Sequence, residues 1–189
     1  MTNFYDIIIQ YLQKGRAQMR IIGIDPGLAI VGYGIVEYQS GRFQTLAYGS
    51  ITTPAHTDVS DRLLLIYERL TDLIRLYRPT EMAVEELFYQ HNQTTVIPVA
   101  EARGIILLCG RMNGLAIHEY TPMQVKLAVV GYGKAEKKQV ITMVTSLLNL
   151  KEVPKPDDTA DALAVAVCRA HSSSSQLDNY LKNHDPSLR

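Results

Sequence analysis

The chain has 189 residues, 47% of them hydrophobic, and 19 Lys and Arg against 19 Asp and Glu, so its formal net charge is zero. That length suffices for one well-buried core, and we expect a single domain. Charges, glycines and prolines interrupt every apolar run before the roughly 18 residues that a membrane span requires, which predicts a soluble protein with no membrane partner. Zero net charge lacks the basic footprint usual for nucleic-acid binding, and on charge alone the lysines of the second half fit a solvated helix face.

Cysteine usage and the two ends of the chain bear on location and domain limits. Cys109 and Cys168 lie in apolar helical stretches, which favours buried thiols over a disulfide or a metal site and suits a reducing cytoplasm. Residues 1–18 do not show a positively charged region, an apolar region and a small-residue cleavage site in the order that a signal peptide has. We predict a dispensable extension at 1–18, a folded domain at 19–171 and a polar, weakly ordered tail at 172–189.

The first half of the chain predicts three strands and a helix. Strands are predicted at 21–25, 31–38 and 42–52, because Pro-Gly and Ser-Gly turn signals separate these runs and favour an antiparallel meander. Apolar residues then recur at helical spacing over 61–77, with Ser60 as the predicted N-cap. The pattern therefore changes from strand to amphipathic helix near residue 60.

The second half of the chain predicts alternating strands and helices. Thr121 and Pro122 place a capping hydroxyl before a proline at the first helical position, so a helix should begin there and run to about residue 129. The other predicted elements are strands at 81–86 and 115–120 and helices at 94–112, 135–148 and 157–170. This order predicts an α/β fold with a mixed five-stranded sheet and helices on its faces, because the later strands need crossovers.

Four acidic residues are candidates for a shared site. Asp25 and Glu85 each close an apolar strand, so their carboxylates should emerge at the rim of the sheet. Asp158 and Asp161 lie three residues apart at a helix start, which places them on one face. If the first and fourth strands are neighbours, the four carboxylates converge. Taken singly, each acid is better explained as a turn residue, a helix cap or a solvated strand end.

Convergence of four acids predicts a divalent-metal site. Two unit charges about 4 Å apart repel by roughly 4 kcal/mol at an effective dielectric near 20, and a divalent cation reverses the sign. Oxygen ligands without a His-Cys set favour Mg²⁺ or Mn²⁺ over Zn²⁺. Two such ions about 3.5 to 4 Å apart can hydrolyse a phosphodiester by activating water and stabilising the leaving oxygen. Such a site needs carboxylates rather than a protein nucleophile.

Four ordered segments resemble the motifs of the RuvC family of Holliday junction resolvases. Together they span residues 19 to about 171 at family-like spacing. They are GIDPG at 23–27 with GYG at 32–34, AVEELF at 83–88 continuing through Asn92 to Arg103 and Gly104, QVK at 124–126 with VVGYGKAEK at 129–137, and DTADALA at 158–164. The Lys- and Pro-rich link at 150–157 departs from the family pattern.

The resemblance implies a ribonuclease-H-like fold and a Mg²⁺-dependent crossover junction endodeoxyribonuclease. Such an enzyme resolves four-way DNA junctions by paired symmetric incisions in DNA recombination and repair. Asp25, Glu85, Asp158 and Asp161 match the catalytic metal-binding acids, with two ions per subunit and Mn²⁺ able to replace Mg²⁺. The resemblance selects Glu85 over its neighbour Glu86, which spacing alone leaves open.

The resemblance also implies further site residues and partners. Lys126 and Lys137 match catalytic lysines, whose charge would offset negative charge at the scissile phosphate. Phe88 matches an aromatic residue that stacks on junction bases, although by itself it could be an ordinary core residue. The positions expected to contact DNA are Phe88, Asn92, Arg103, Lys126, Lys134 and Lys137. Family members act as homodimers, and the helix at 94–112 is the candidate dimer helix here, although its apolar residues could equally face only their own sheet. The partner implied is the RuvA–RuvB branch-migration complex.

Three other functions are compatible with parts of the sequence. A related nuclease acting on RNA would share the acids but lack Phe88 and the loop at 131–137. An actin-like nucleotide-binding fold can open with a similar strand, but it needs a second phosphate motif and about twice the chain. A homologue that binds junctions without cutting them is disfavoured because all four acids and both lysines are present.

Overall fold

A computed structural model describes residues 18–86 and 96–184, with the side chains of the last helix described as far as Ser173. Its strands are β1 (Met19–Asp25), β2 (Ile30–Gln39), β3 (Arg42–Thr52), β4 (Glu81–Glu85) and β5 (Ala116–Tyr120). They form one sheet in the order β3-β2-β1-β4-β5. The first three strands make the predicted antiparallel meander, and β4 and β5 continue the sheet parallel to β1. The predicted mixed five-stranded sheet is confirmed.

Five helices in the described ranges cover both faces of this sheet. They are α1 (Val59–Tyr77), α2 (Val96–Met112), α3 (Pro122–Val130), α4 (Lys137–Leu147) and α5 (Asp157–His184). One apolar core joins the sheet to α1 and α2, and a second core joins the opposite face to α3, α4 and α5. Within the same ranges, no helix is long and apolar enough to cross a membrane.

Alternation along the strands decides which residues face which core. Successive side chains of a strand point to opposite faces, so Ile22 and Ile24 pack toward α1 and α2 while Ile21 packs toward α5. By the same period of two, Asp25 at the end of β1 and Glu85 at the end of β4 belong to the α5 face. The fold therefore directs both strand-end acids toward the start of α5.

The helix starts show one predicted cap and one correction. Thr121 caps α3 as expected, because its side chain accepts from the backbone N–H of Gln124 while the Gln124 side chain accepts from the Thr121 N–H. Ser60 is not the N-cap of α1. The helix begins two residues earlier with Asp58 at that position, and no side-chain hydrogen bond caps it.

The last helix does not end at Ala170 as predicted. It continues to His184, because neither glycine nor proline occurs between its start and Pro186. The serines that suggested a break bond back to the helix: the Ser172 hydroxyl donates to the Cys168 carbonyl, and the Ser173 hydroxyl donates to the Ala170 carbonyl. The domain limits and the weak order expected for the tail remain predictions.

Candidate active site

Two strand ends place a pair of carboxyl groups side by side. β1 and β4 are parallel neighbours, with Ile24 opposite Val84, so Asp25 and Glu85 are the next residues on each strand. The two carboxyl groups interact, because the charge of Glu85 raises the pKa of Asp25. Glu86 is exposed and its backbone N–H donates to the Tyr120 carbonyl, so it continues toward β5. The structure thus distinguishes Glu85 from Glu86, which sequence spacing alone could not.

Helix α5 brings the other two acids to the same edge. Asp158 lies in its first turn and Asp161 one turn on, and both side chains are partly buried. The charges of Asp158 and Asp161 both raise the pKa of Asp25, and that of Asp161 raises the pKa of Glu85. Residues separated by more than 130 positions in the chain are therefore close enough to repel one another.

Burial and mutual repulsion raise the pKa values of the carboxyl groups in this cluster. Desolvation, followed by the charges of Glu85, Asp161 and Asp158, raises the pKa of Asp25 to about 8. Desolvation and the charge of Asp161 raise the pKa of Glu85 to about 7. Desolvation also raises the pKa of Asp161, although the hydrogen bond from Lys137 opposes it. Strongly raised carboxyl pKa values in a cleft are typical of functional sites.

Lys137 and Lys126 supply positive charge to an adjoining cleft. The Lys137 ammonium lies 3.0 Å from an oxygen of Asp161 and 3.4 Å from one of Asp157. Burial alone would lower the pKa of Lys137, but these carboxylates outweigh burial and leave it raised. The cleft is about 210 Å³, and its walls are Glu85, Pro122, Val125, Lys126, Lys137, Val140 and Asp161. Both predicted lysines therefore face the acidic edge.

The donor set fits a hard divalent cation. Among the described residues, no three or more His, Cys, Asp or Glu side chains already stand as ligands around one point. Lys137 instead pairs with Asp161 and Asp157. Carboxylate oxygens are the ligands that Mg²⁺ and Mn²⁺ prefer, and a cation would supply the countercharge that Lys137 now gives to Asp161.

The other predicted DNA contacts have varied positions. Lys134 is exposed in the loop before α4. Arg103 is not part of the cleft wall: its guanidinium donates to the Glu119 carboxylate and, at 3.4 Å, to the Glu85 carbonyl. It therefore ties α2 to the ends of β4 and β5. Phe88 and Asn92 lie outside the described residues.

One contact of the site was missed at the sequence level. Asp157 precedes the two predicted acids of α5 and lies 3.4 Å from Lys137, so it takes part in holding that lysine. The signal was present as a run of two acids at the helix start, where carboxylates also favour the helix dipole. Only the placement of α4 shows that Asp157 faces a lysine.

Comparison with known proteins shows a matching family model and relatives more than 50% identical in sequence. The family model described as crossover junction endodeoxyribonuclease RuvC matches residues 21–169. RuvC of Heliobacterium modesticaldum is 59% identical over 82% of this chain and 95% of its own length, and RuvC of Clostridioides difficile is 54% identical over 87% and 96%. The structure of Thermus thermophilus RuvC in complex with a Holliday junction substrate superposes with a TM-score of 0.79 at 33% identity, over 84% of this chain and 96% of that one.

Proposed function

The chain belongs to the RuvC family of crossover junction endodeoxyribonucleases, and from that premise we propose that Asp25, Glu85, Asp158 and Asp161 are its catalytic acids. The protein is a structure-selective endonuclease that resolves four-way DNA junctions in recombination and repair. Its ribonuclease-H-like mixed sheet is the predicted fold. Catalysis in this family depends on divalent metal ions.

One observation carries the assignment of the acids. The neighbouring ends of β1 and β4 set Asp25 beside Glu85, and the start of α5 brings Asp158 and Asp161 into their field. Gathering four carboxyl groups at one partly buried edge costs stability through desolvation and repulsion. Their shared position is explained if the acids hold divalent ions during junction cleavage.

The roles of the chain's own residues follow from their positions. The four acids would hold Mg²⁺, two ions per subunit, with Mn²⁺ as a working substitute. When bound, such ions supply Lewis-acid activation of water and neutralise charge on the leaving oxygen. Lys137 binds Asp157 and Asp161 in this structure, and Lys126 lines the same cleft, so both can place positive charge beside a phosphate.

The neighbouring glutamates Glu85 and Glu86 give a matched test of this site. Glu85→Gln should abolish cleavage of a synthetic four-way junction in Mg²⁺. Glu86→Gln makes the same change at the next residue, which is exposed, and should leave the rate unchanged. Single-turnover gels measure both, with duplex, single-stranded DNA and RNA–DNA hybrid as alternative substrates.

The outcomes separate the competing functions. Loss of activity in both variants, or in neither, would contradict the assignment of Glu85. Faster wild-type cleavage of the RNA–DNA hybrid than of the junction would instead favour a nuclease acting on RNA. Tight junction binding without turnover by the wild type would indicate a protein that only binds junctions.

A homodimer is the proposed assembly, and α2 carries the surface for it. Its outer face presents Ile97, Leu108 and Met112, each at least half exposed, and a Cβ atom at Gly104 would meet no other atom within 4 Å. These residues repeat at helical spacing on one side of α2, away from the core residues of the same helix. Paired symmetric incisions require two such subunits on one junction.

The spacing along α2 suggests how two copies would pair. In an antiparallel arrangement centred near residue 106, Leu108 of one subunit lies over Gly104 of the partner subunit, and Glu101 lies against Arg111 of the partner subunit. Glu101→Arg should therefore weaken the dimer, and the double variant Glu101→Arg, Arg111→Glu should restore it. Sedimentation measures the dimer constant. Equal dimerisation of the single and double variants would contradict this pairing.

The remaining predicted partners and limits are also part of the proposal. Lys134, Arg103, Phe88 and Asn92 are proposed to contact DNA, the RuvA–RuvB complex to deliver the junction, and the cytoplasm to be the location. Residues 1–18 are proposed to be dispensable. A chain starting at Met19 should keep the thermal midpoint and the cleavage rate of the full chain, and a loss of either would contradict that domain limit.

A further inference from the structure

Helix α5 approaches the sheet very closely at three glycine positions. Three glycines of β1 and β2 face it, and a Cβ atom on each would approach the helix far inside the 3.0 Å that real Cβ atoms respect. The distances are 2.1 Å from Gly23 to the Ala162 carbonyl oxygen, 2.0 Å from Gly32 to the Asp158 carbonyl oxygen, and 2.5 Å from Gly34 to the Leu163 Cδ2 atom. At Gly23 and Gly32 the helix backbone therefore lies directly on the strands.

Gly32 differs from the other two glycines because it touches two acids of the site. It is the register partner of Asp25 across β1 and β2. Its missing side chain would meet the backbone of Asp158, with the carbonyl oxygen at 2.0 Å and the carbonyl carbon at 2.4 Å. The strand position opposite one acid is thus in contact with the main chain of another.

We infer that Gly32 is a positioning residue that sets the separation between the strand-end acids and the acids of α5, an inference that rests on the proposed function. If a methyl group is added at Gly32, its distance to the Asp158 carbonyl oxygen must increase by at least 1.0 Å, from 2.0 Å to 3.0 Å. β2 lies between β1 and β3 and is bonded to both, so the first turn of α5 is the part that moves. A displacement of about 1 Å in a catalytic constellation costs on the order of 100-fold in rate.

Gly34 provides the matched control. It lies two residues along the same strand and faces the same helix, but its Cβ atom would first meet side-chain atoms, Cδ2 at 2.5 Å and Cγ at 2.7 Å of the buried Leu163, with the Leu163 Cα at 3.1 Å. Leu163 lies beyond the acids in the helix. Gly34→Ala should therefore reduce stability through packing without changing the spacing of the acids.

The experiment compares the wild type, Gly32→Ala and Gly34→Ala as full-length proteins. Calorimetry measures Mn²⁺ binding without DNA, gel shift in EDTA measures junction affinity, and single-turnover assays across a Mg²⁺ series measure cleavage. Gly32→Ala should bind Mn²⁺ more weakly, need more Mg²⁺, and cleave about 100-fold more slowly, with junction affinity unchanged. Gly34→Ala should keep the metal and rate profiles of the wild type even if its thermal midpoint falls.

The outcomes keep this inference separate from the proposed function. Absence of junction cleavage by the wild type would overturn the proposed function itself. Wild-type activity with normal Mn²⁺ affinity in Gly32→Ala, or with equal losses in Gly32→Ala and Gly34→Ala, would overturn only the role of Gly32. If Gly32→Ala has no native circular dichroism, Gly23→Ala replaces it with the same expectation, because its Cβ atom would lift α5 at Ala162, beside Asp161.

Discussion

The two ends of β4 carry acids in opposite electrostatic surroundings. At the balanced end, Glu81 is paired with a cation, and at the unbalanced end, Glu85 lies among other acids. Glu81 and Glu85 open and close the same five-residue strand and share one face. The Glu81 carboxylate is held by the buried Arg169, whose Nε donates at 2.5 Å, and it lies 3.6 Å from the His118 ring. Glu85 instead neighbours Asp25 and Asp161, and its pKa is raised to about 7. Glu81 therefore has its countercharge beside it, whereas Glu85 lies among other acids.

The largest expected effect is at the unbalanced end. Asp25→Asn is nearly isosteric, and we expect cleavage to fall at least about 1,000-fold, equivalent to about 4 kcal/mol of activation free energy. The thermal midpoint should rise, because a desolvated carboxyl among like charges is removed. Asp72→Asn, at an exposed position of α1, should change neither quantity. If Asp25→Asn were less stable than the wild type and still cleaved junctions, Asp25 would be a structural acid like Glu81.

The balanced end should respond in the opposite way. Arg169→Met leaves Glu81 partly buried without its main partner, and we expect a loss of about 3 kcal/mol in the free energy of unfolding, with cleavage per folded molecule unchanged. Adding Glu81→Met should recover much of that stability. Urea unfolding measures both variants. A stable Arg169→Met protein that no longer cuts would place Arg169 in the catalytic machinery instead.

Lys137 is the cation closest to the unbalanced acids, and its neighbour Lys138 is a natural control. Lys137→Met keeps the aliphatic stem and should slow single-turnover cleavage about 100-fold, because positive charge near the phosphate is lost. Stability should change little, since the side chain is 53% exposed. Lys138→Met should cleave like the wild type. Similar losses in both variants would point to a general electrostatic effect on DNA binding.

The smallest expected effect is a pH dependence at the balanced end. Burial, then Arg169 on α5, lowers the pKa of His118 against the opposing charge of Glu81 on β4. The neutral ring therefore contributes stability above the ordinary pKa of 6.5, and this contribution is lost as pH falls toward the lowered pKa of the folded state. His118→Gln should reduce the loss of stability between neutral pH and pH about 5.5 by less than about 1 kcal/mol. Parallel pH profiles of the two proteins would show that His118 does not contribute.

The site was predictable from sequence where local chemistry decides. Asp25 and Glu85 follow apolar strands, and Thr121 caps a helix whose first residue is proline; both are short-range patterns with one physical outcome. Ser60 was a poorer guide, because several polar residues precede α1 and the local pattern does not select among them. The predicted end of α5 at residue 170 is wrong because a serine-rich stretch without glycine or proline does not end a helix.

Other features depended on distant packing and could not be predicted from local patterns. Which of Glu85 and Glu86 faces the cleft depends on the register of β4 beside β1. The ion pair of Arg103 with Glu119 depends on α2 lying over the ends of two strands. The contact of Gly32 with α5 joins residues more than 120 positions apart, and a glycine in a strand gives no indication of which backbone approaches it.

Locating Mn²⁺ by anomalous diffraction in crystals of the protein is the most direct test of the acidic edge. Peaks bound by Asp25, by Glu85 and by at least one acid of α5, and lost in Asp25→Asn, are the predicted result. Manganese bound only at other carboxylates, in a protein that still cuts junctions, would contradict the account.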